Sequence, residues 1–320
     1  MLLVTGGAGF IGSHLVEALV ARGEAVRVFD NFSTGSRCNL TAVAEQIEVQ
    51  EGDLRDADAV RRAVEGVDVI VHLAAIASVP ASIADPETTY AVNVSGTLRL
   101  LRAARDSGCR RLIYASSSAV YGDNPVMPKR EQIIPEPKSP YASSKLTGEH
   151  LCGAFSQLYQ LETVSLRYFN VFGPRQNPNS AYAAVVPRFL SLLQQGISPV
   201  IYGDGHQSRD FVSIDDVVAA NLLAVAAPAR AVSGRVFNIA TGVSTTIVQV
   251  FTHLSELLGV HVTPWFEAAR EGDPRDSRAD ISAARDALGF EARVTFVEGL
   301  ARMIAASRDC DPSEGITLAY

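Results

Sequence analysis

Short runs of branched aliphatic residues alternate with longer amphipathic stretches through the first half of the chain. Residues 2–5 form an apolar run of strand length, and residues 11–21 place Ile11, Leu15, Ala18 and Leu19 at helical spacing. Residues 25–29, 47–50, 67–73 and 111–115 repeat the strand texture, with helical patterns between them. Strands that are apolar throughout belong in a parallel sheet covered by helices on both faces. The pattern therefore predicts an α/β fold built on a Rossmann-type, doubly wound parallel sheet.

Beyond residue 170 the texture changes. Proline and glycine become denser around 173–178 and 199–205, and the periodic runs shorten. The expectation is a first domain over 1–170 and a smaller C-terminal α/β lobe over 171–320, with segments free to cross back to the first domain. No internal repeat or low-complexity tract is visible, and residues 309–320 lack periodicity.

Composition narrows the class. With 320 residues and 47% hydrophobic content, the chain can bury a large core and is not a disordered segment. A formal charge of −7 argues against a phosphate-tracking nucleic-acid binder. No stretch approaches the roughly 18 apolar residues of a membrane span. Only Met1 precedes the first apolar run, which reads as a cytoplasmic protein without a signal peptide. Cys38, Cys109, Cys152 and Cys310 form no C-x-x-C pair, and His72, His206 and His253 have no ligand spacing. Reduced thiols and no metal site are expected.

The first strand runs into Gly6-Gly7-Ala8-Gly9-Phe10-Ile11-Gly12. Glycines 6, 9 and 12 keep side chains out of a tight strand-to-helix turn, and the helix then offers free N–H groups and its positive dipole end to a pyrophosphate. Asp30 ends the second strand, about 20 residues on, where a carboxylate accepts from an adenosine ribose and repels a 2′-phosphate. This favours NAD over NADP. Asp53 follows the third strand, either at an adenine edge or as the cap of a helix starting near Asp56.

Tyr141 and Lys145 stand at i and i+4, one face of a helix. A phenol with an ordinary pKa near 10 is a poor base at neutral pH, and a neighbouring cation favours its phenolate. Lysine occurs only at positions 129, 138 and 145. Ser116-Ser117-Ser118 follows the strand ending at Ala115, at the carboxyl edge where doubly wound sheets bind ligands. A hydroxyl at Ser117 can donate to, or relay a proton from, a reacting oxygen.

These landmarks, in order, resemble the extended short-chain dehydrogenase/reductase family. The closer likeness is to UDP-hexose 4-epimerases, especially the UDP-N-acetylglucosamine branch. The likeness spans residues 2–299. It continues through His72-Leu73-Ala74-Ala75, Ser-Val-Pro at 78–80, Asn93, the run from Arg167 to Gln176, Tyr202-Gly203-Asp204-Gly205, Arg209-Asp210-Phe211 and Gly272-Asp273.

The resemblance implies roles. Tyr141 would be the general base, Lys145 its partner on the nicotinamide ribose, and Ser117 the hydrogen-bond partner of the sugar O4. Phe10, Ile11, Asn31, Leu54, Leu73, Ala74, Ala75, Asn93 and Tyr168 would lie on the cofactor side. Ser118, Asn170, Val185 and Tyr202 would lie on the substrate side, Arg209 and Arg270 would clamp the diphosphate, and Asp273 would contact the uridine ribose. Related 4,6-dehydratases and decarboxylases carry a glutamate just before Val-Tyr-Gly. Here that place holds Ala119, which transfers no proton, so simple 4-epimerisation with NAD regenerated each cycle is implied. Ala77, Ala184 and Ser277 are small where bulk near the sugar C2 would exclude an acetamido group. Gln176-Asn177-Pro178 stands where uronate epimerases show an arginine. The implied order is UDP-GlcNAc/GalNAc, then UDP-Glc/Gal, then UDP-glucuronate, with a homodimer formed through helices near 93–104 and 141–157. A non-catalytic NAD-binding regulator on the same fold is the competing class, as is a dehydrogenase that releases NAD(H). A regulator has no need to keep Ser117, Tyr141 and Lys145 together.

Overall fold

The computed structural model describes residues 1–178, 184–269 and 275–309. The apolar runs become β1 (Leu2–Thr5), β2 (Val26–Asp30), β3 (Ile47–Glu51), β4 (Val69–His72), β5 (Arg111–Ser117) and β6 (Glu162–Tyr168). Between them lie the helices α1 (Phe10–Val20), α2 (Ala57–Val64), α3 (Val79–Ala84), α4 (Pro86–Tyr90), α5 (Thr97–Asp106) and α6 (Pro140–Tyr159). A turn of wider helix over Ala91–Gly96 leads into α5.

After β6 the chain leaves the sheet. It forms β7 (Asn170–Phe172), α7 (Val185–Gln194), β8 (Val200–Tyr202), β9 (Ser208–Arg209) and β10 (Phe211–Ser213), with β10 parallel to β7. It then returns through α8 (Ile214–Ala226) and adds β11 (Arg235–Ile239) beside β6. The resulting seven-stranded sheet has the order β11-β6-β5-β4-β1-β2-β3, with every neighbouring pair parallel. The α/β, Rossmann-type expectation holds.

Strand alternation sorts the core into two layers. On one face Leu2, Val4, Val26, Val28, Val69, Val71 and Ile113 meet Leu15, Val16 and Leu19 of α1 and Val217, Ala220 and Ala224 of α8. On the other, Leu3, Ile70, Leu112 and Tyr114 meet α2, α5 and α6 through Val60, Leu100, Leu101, Cys152 and Phe155. A third cluster around Phe172, Phe189, Ile201, Phe211 and Leu254 is the core of the smaller lobe. No helix among the described residues is long and apolar enough to cross a membrane.

Candidate active site

Glycine is required at two points of the first turn. Gly6 has φ +70°, and a Cβ there would lie 2.7 Å from the Ala74 nitrogen. A Cβ at Gly12 would overlap the Gly6 carbonyl oxygen. Gly9 is the N-cap of α1 and brings no side chain to it, so the first N–H groups of the helix, at Phe10 and Ile11, have no side-chain cap. Asp30 is buried, and its two carboxylate oxygens accept from Ala8 N (2.9 Å) and Phe32 N (2.8 Å). Each oxygen keeps a lone pair for a ribose hydroxyl.

Asp53 accepts from Asn31 Nδ2 at 2.9 Å and from the Arg55 guanidinium at 3.0 and 2.9 Å. Those Arg55 bonds hold its carboxyl well below the usual range. The cap of α2 is not Asp53 but Asp56, whose Oδ1 accepts from Asp58 N and Ala59 N. Leu54 is buried against α2 and α5. Leu73 and Ala74 are hydrogen-bonded to Thr5, and Ala75 follows them in the same loop.

Two expected cofactor residues spend their polar atoms within the protein. Asn93 is 1% exposed. Its amide brackets Ile76 with bonds of 2.8 and 3.0 Å and donates to Ser144 Oγ at 3.0 Å, tying the loop after β4 to α6. The Tyr168 hydroxyl donates to Asn221 of α8 at 2.9 Å inside the core. Both therefore hold elements that flank the cradle. His72 is also structural, bridging Thr5 Oγ1 (2.7 Å) and Thr97 Oγ1 (2.9 Å), and burial lowers its pKa to about 3.

Ser117 is the last residue of β5, and its Oγ accepts from Ala119 N, capping the single turn Ser118–Tyr121. Ser139 caps α6, Pro140 starts it, and Tyr141 lies in its first turn with its N–H on Ser82 Oγ of α3 (3.1 Å). The Ser117 side chain stands beside the Tyr141 phenol and favours its ionised form. Lys145 follows one turn later, donates to Ala115 O at 2.8 Å, and places Nζ 5.9 Å from the centre of the Tyr141 ring. Ser117, Tyr141 and Lys145 are thus brought together at the carboxyl edge of β5.

Burial acts on this pair in opposite directions. It holds the Tyr141 phenol above its ordinary value, opposed by the Ser117 side chain, and it pushes Lys145 down to about 8. An added positive charge beside the phenol, such as an oxidised nicotinamide, favours the phenolate. The cradle, the ribose carboxylate and the electrostatic demand at Tyr141 all fit NAD.

Beneath these residues is a buried polar layer. Glu149, one turn beyond Lys145, takes two bonds from Arg167 of β6 (2.8 and 2.7 Å) and one from Ser116 Oγ (2.5 Å). Arg167 stacks 4.7 Å from the Tyr121 ring, whose hydroxyl donates to Asn238 of β11. Helix α6 sits this close to β5 because residue 148 is glycine, and a Cβ there would collide with the Tyr114 hydroxyl.

A cavity of about 370 Å³ opens beside the smaller lobe. It is lined by Asn170, Val171, Phe172, Gln176, Ala184, Val185, Val186, Arg209, Phe211 and Ile247. Four expected substrate residues meet there: Asn170, Ala184, Val185 and Arg209. Ala77, Ser118, Tyr202 and Ser277 are not in that lining; Ser277 N–H is bonded to Ser208 O, and Tyr202 O accepts from Gln207. Arg270 and Asp273 lie outside the described residues.

Sequence reasoning missed the residues that hold the site. Asp210 is fully buried, and its carboxylate accepts from Thr241, Gly242 and Ala279 while its carbonyl accepts from Asn170. Its signal was an acid directly before the short apolar pair Phe211-Val212. Gln176, which the resemblance puts where uronate epimerases show an arginine, lines the cavity. Among the described residues, no group of His, Cys, Asp and Glu could hold a metal ion.

Comparison with known proteins agrees with this geometry. Residues 2–240 match the NAD dependent epimerase/dehydratase family. The chain is 40% identical over 311 residues to the UDP-glucose 4-epimerase of Mycolicibacterium smegmatis, covering 96% of this chain and 98% of that protein. It superposes with a TM-score of 0.91 on the UDP-N-acetylglucosamine 4-epimerase of Methanobrevibacter ruminantium, solved with UDP-N-acetylmuramic acid, at 41% identity over 96% of this chain and 97% of that one. The Thermus thermophilus UDP-glucose 4-epimerase, solved with NAD, gives 0.87 at 37% identity over 97% and 99% of the two chains. The match to the family model spans most of the chain, and these relatives align with nearly all of it; the protein is an enzyme of the NAD-dependent epimerase/dehydratase family.

Proposed function

We propose that the protein interconverts the C4 epimers of a UDP-hexose with NAD as a resident cofactor, and that UDP-GlcNAc/UDP-GalNAc is its first substrate pair. The observation that carries this reading is the Ser117–Tyr141–Lys145 cluster beside a glycine cradle, with Ala119 where an elimination enzyme needs an acid. NAD, when bound, supplies the acceptor and then the donor of the C4 hydride. The protein's own residues do the rest. Tyr141 takes the O4 proton as C4 is oxidised and returns it when C4 is reduced from the opposite face. Ser117 holds O4 and the phenol in one hydrogen-bonded line. Lys145, anchored on Ala115 O, keeps a positive charge near the phenol and is placed to meet the nicotinamide ribose. Arg209, joined by Arg270, suits two-point binding of the diphosphate, so the 4-keto sugar turns about a fixed end. Asn170 holds the sugar nucleotide in the cavity.

Ala184 supports room for an acetamido group, and the relative from Methanobrevibacter ruminantium points the same way. The relative from Mycolicibacterium smegmatis favours UDP-Glc/UDP-Gal as the second reading. Neutral Gln176 in the cavity ranks UDP-glucuronate third. Helices α5 and α6 leave Leu98 and Leu158 exposed, which fits a homodimer through these helices. The test is an NMR assay with UDP-GlcNAc, UDP-Glc and UDP-GlcA and no added cofactor. Appearance of the C4 epimer supports the reading and ranks the sugars. No product from any of the three refutes it.

A further inference from the structure

The cavity wall is tied to the cofactor helix by one ion pair. Arg175 stands next to Gln176 and carries φ +66°, a left-handed conformation that a residue with a Cβ adopts only when its surroundings enforce it. Its guanidinium reaches 158 residues back along the chain to Glu17 Oε1 of α1, at 2.6 Å. Both side chains are less than a third exposed. The preceding Gly173 is pressed against α8, where a Cβ would overlap Ile214 and come within 3.7 Å of the Phe10 ring. Asp215 of α8 also faces this junction, but it is paired with Arg302.

What the pair holds is Gln176. The Gln176 amide donates through Nε2 to Val171 O at 3.2 Å, which fixes its orientation. Its Oε1 is buried and has no hydrogen-bond partner among the described residues, although the side chain lines the cavity. A buried acceptor without a donor is unfavourable, so this oxygen is arranged to receive one from a ligand, and a sugar hydroxyl is the fitting class.

We infer that the Glu17–Arg175 ion pair is a strap that sets the position of Gln176, making Glu17 on the cofactor helix a positioning residue for sugar-nucleotide binding. The inference rests on the reading of the cavity as the sugar-nucleotide pocket. It links α1 to the cavity wall through a contact outside the cavity lining. Glu17 and Arg175 lie near the surface, so their removal leaves the core intact.

The test is calorimetric titration of NAD-loaded protein with UDP-GlcNAc, in a Tyr141→Phe background where bound sugar is not converted. Glu17→Ala and Arg175→Ala are each expected to weaken binding roughly fivefold, the range of a single surface ion pair. Bound NAD and the melting temperature stay unchanged. The charge-reversed double variant, Glu17→Arg with Arg175→Glu, recovers most of the loss. Affinities equal to the parent overturn the strap alone, as do equal losses accompanied by loss of NAD or a lower Tm. A parent that does not bind UDP-GlcNAc overturns both the strap and the pocket on which it rests.

Discussion

Replacing Arg167 with methionine removes one half of the charge pair beneath Ser117, Tyr141 and Lys145. The two side chains are 4% and 3% exposed, and they share two hydrogen bonds in fork geometry. In the variant, Glu149 keeps only Ser116 Oγ and remains in the interior. Breaking a buried pair from one side is destabilising by about 3–5 kcal/mol, because an uncompensated charge is left behind. At roughly 2 °C per kcal/mol for a chain of this size, the melting temperature falls by about 6–10 °C. Removing both charges, as Arg167→Met with Glu149→Leu, restores most of that loss, since well-packed apolar replacements of buried pairs are often neutral. The double variant still loses turnover, because Ser116 and Glu149 align β5 with α6 and so Ser117 with Tyr141. Scanning calorimetry of the NAD-saturated proteins, paired with the epimerisation assay, reads both effects. A single variant that melts within about 2 °C of wild type refutes this account of the buried pair.

Other outcomes follow from the same geometry. Tyr141→Phe lowers kcat by about 10²–10⁴-fold with NAD still bound, as expected for loss of a general base, and is read by single-turnover kinetics. Lys145 titrates near 8 in the folded chain and near its ordinary 10.5 when unfolded. The unfolded chain therefore binds more protons between these values, so the burial cost is fully present below about 8 and falls as pH rises to 10.5. Relative to Lys145→Met, cofactor-free wild type gains stability across that window by roughly 3 kcal/mol, measured by denaturant titration at stepped pH. Asp210→Ala leaves Thr241, Gly242 and Ala279 donors without their acceptor, and weakens sugar-nucleotide binding by at least tenfold in calorimetry while NAD stays bound. Light scattering of the native protein returns about twice the 34.2 kDa chain mass if α5 and α6 pair between copies.

The cofactor half was legible because its signals are local. An apolar strand, a glycine turn and an amphipathic helix follow one another within 20 residues, and Gly6 and Gly12 have a steric reason visible in the turn. Tyr141 and Lys145 were legible because one helical turn separates them. The remaining determinants depend on pairings between distant segments. A charge in an apolar strand, such as Arg167, announces that a partner exists without saying that it is Glu149 of α6. Asn93 and Tyr168 carry polar atoms suited to a ligand, and only the fold reveals that Ile76, Ser144 and Asn221 already use them. Gln176 follows Arg175, whose ion-pair partner Glu17 lies 158 residues away in sequence. The region beyond β6 was harder to read because its strands β7 to β10 are two or three residues long, too short for a period to register.

The path of the chain around β11 bears on the choice of sugar. Most of the cavity wall is an excursion that leaves the sheet after β6 and is fastened again by α8 and β11, with Ile247 joining it from beyond β11. The seventh strand therefore follows most of the cavity wall in the chain and takes the edge of the sheet beside β6. If the cavity is the sugar pocket, substitutions within that insert change which sugar is accepted, while the strands at both its ends stay under the constraint of the parallel ladder. A chimera that exchanges residues 170–213 between relatives would show whether the insert carries the choice of sugar while the frame is kept.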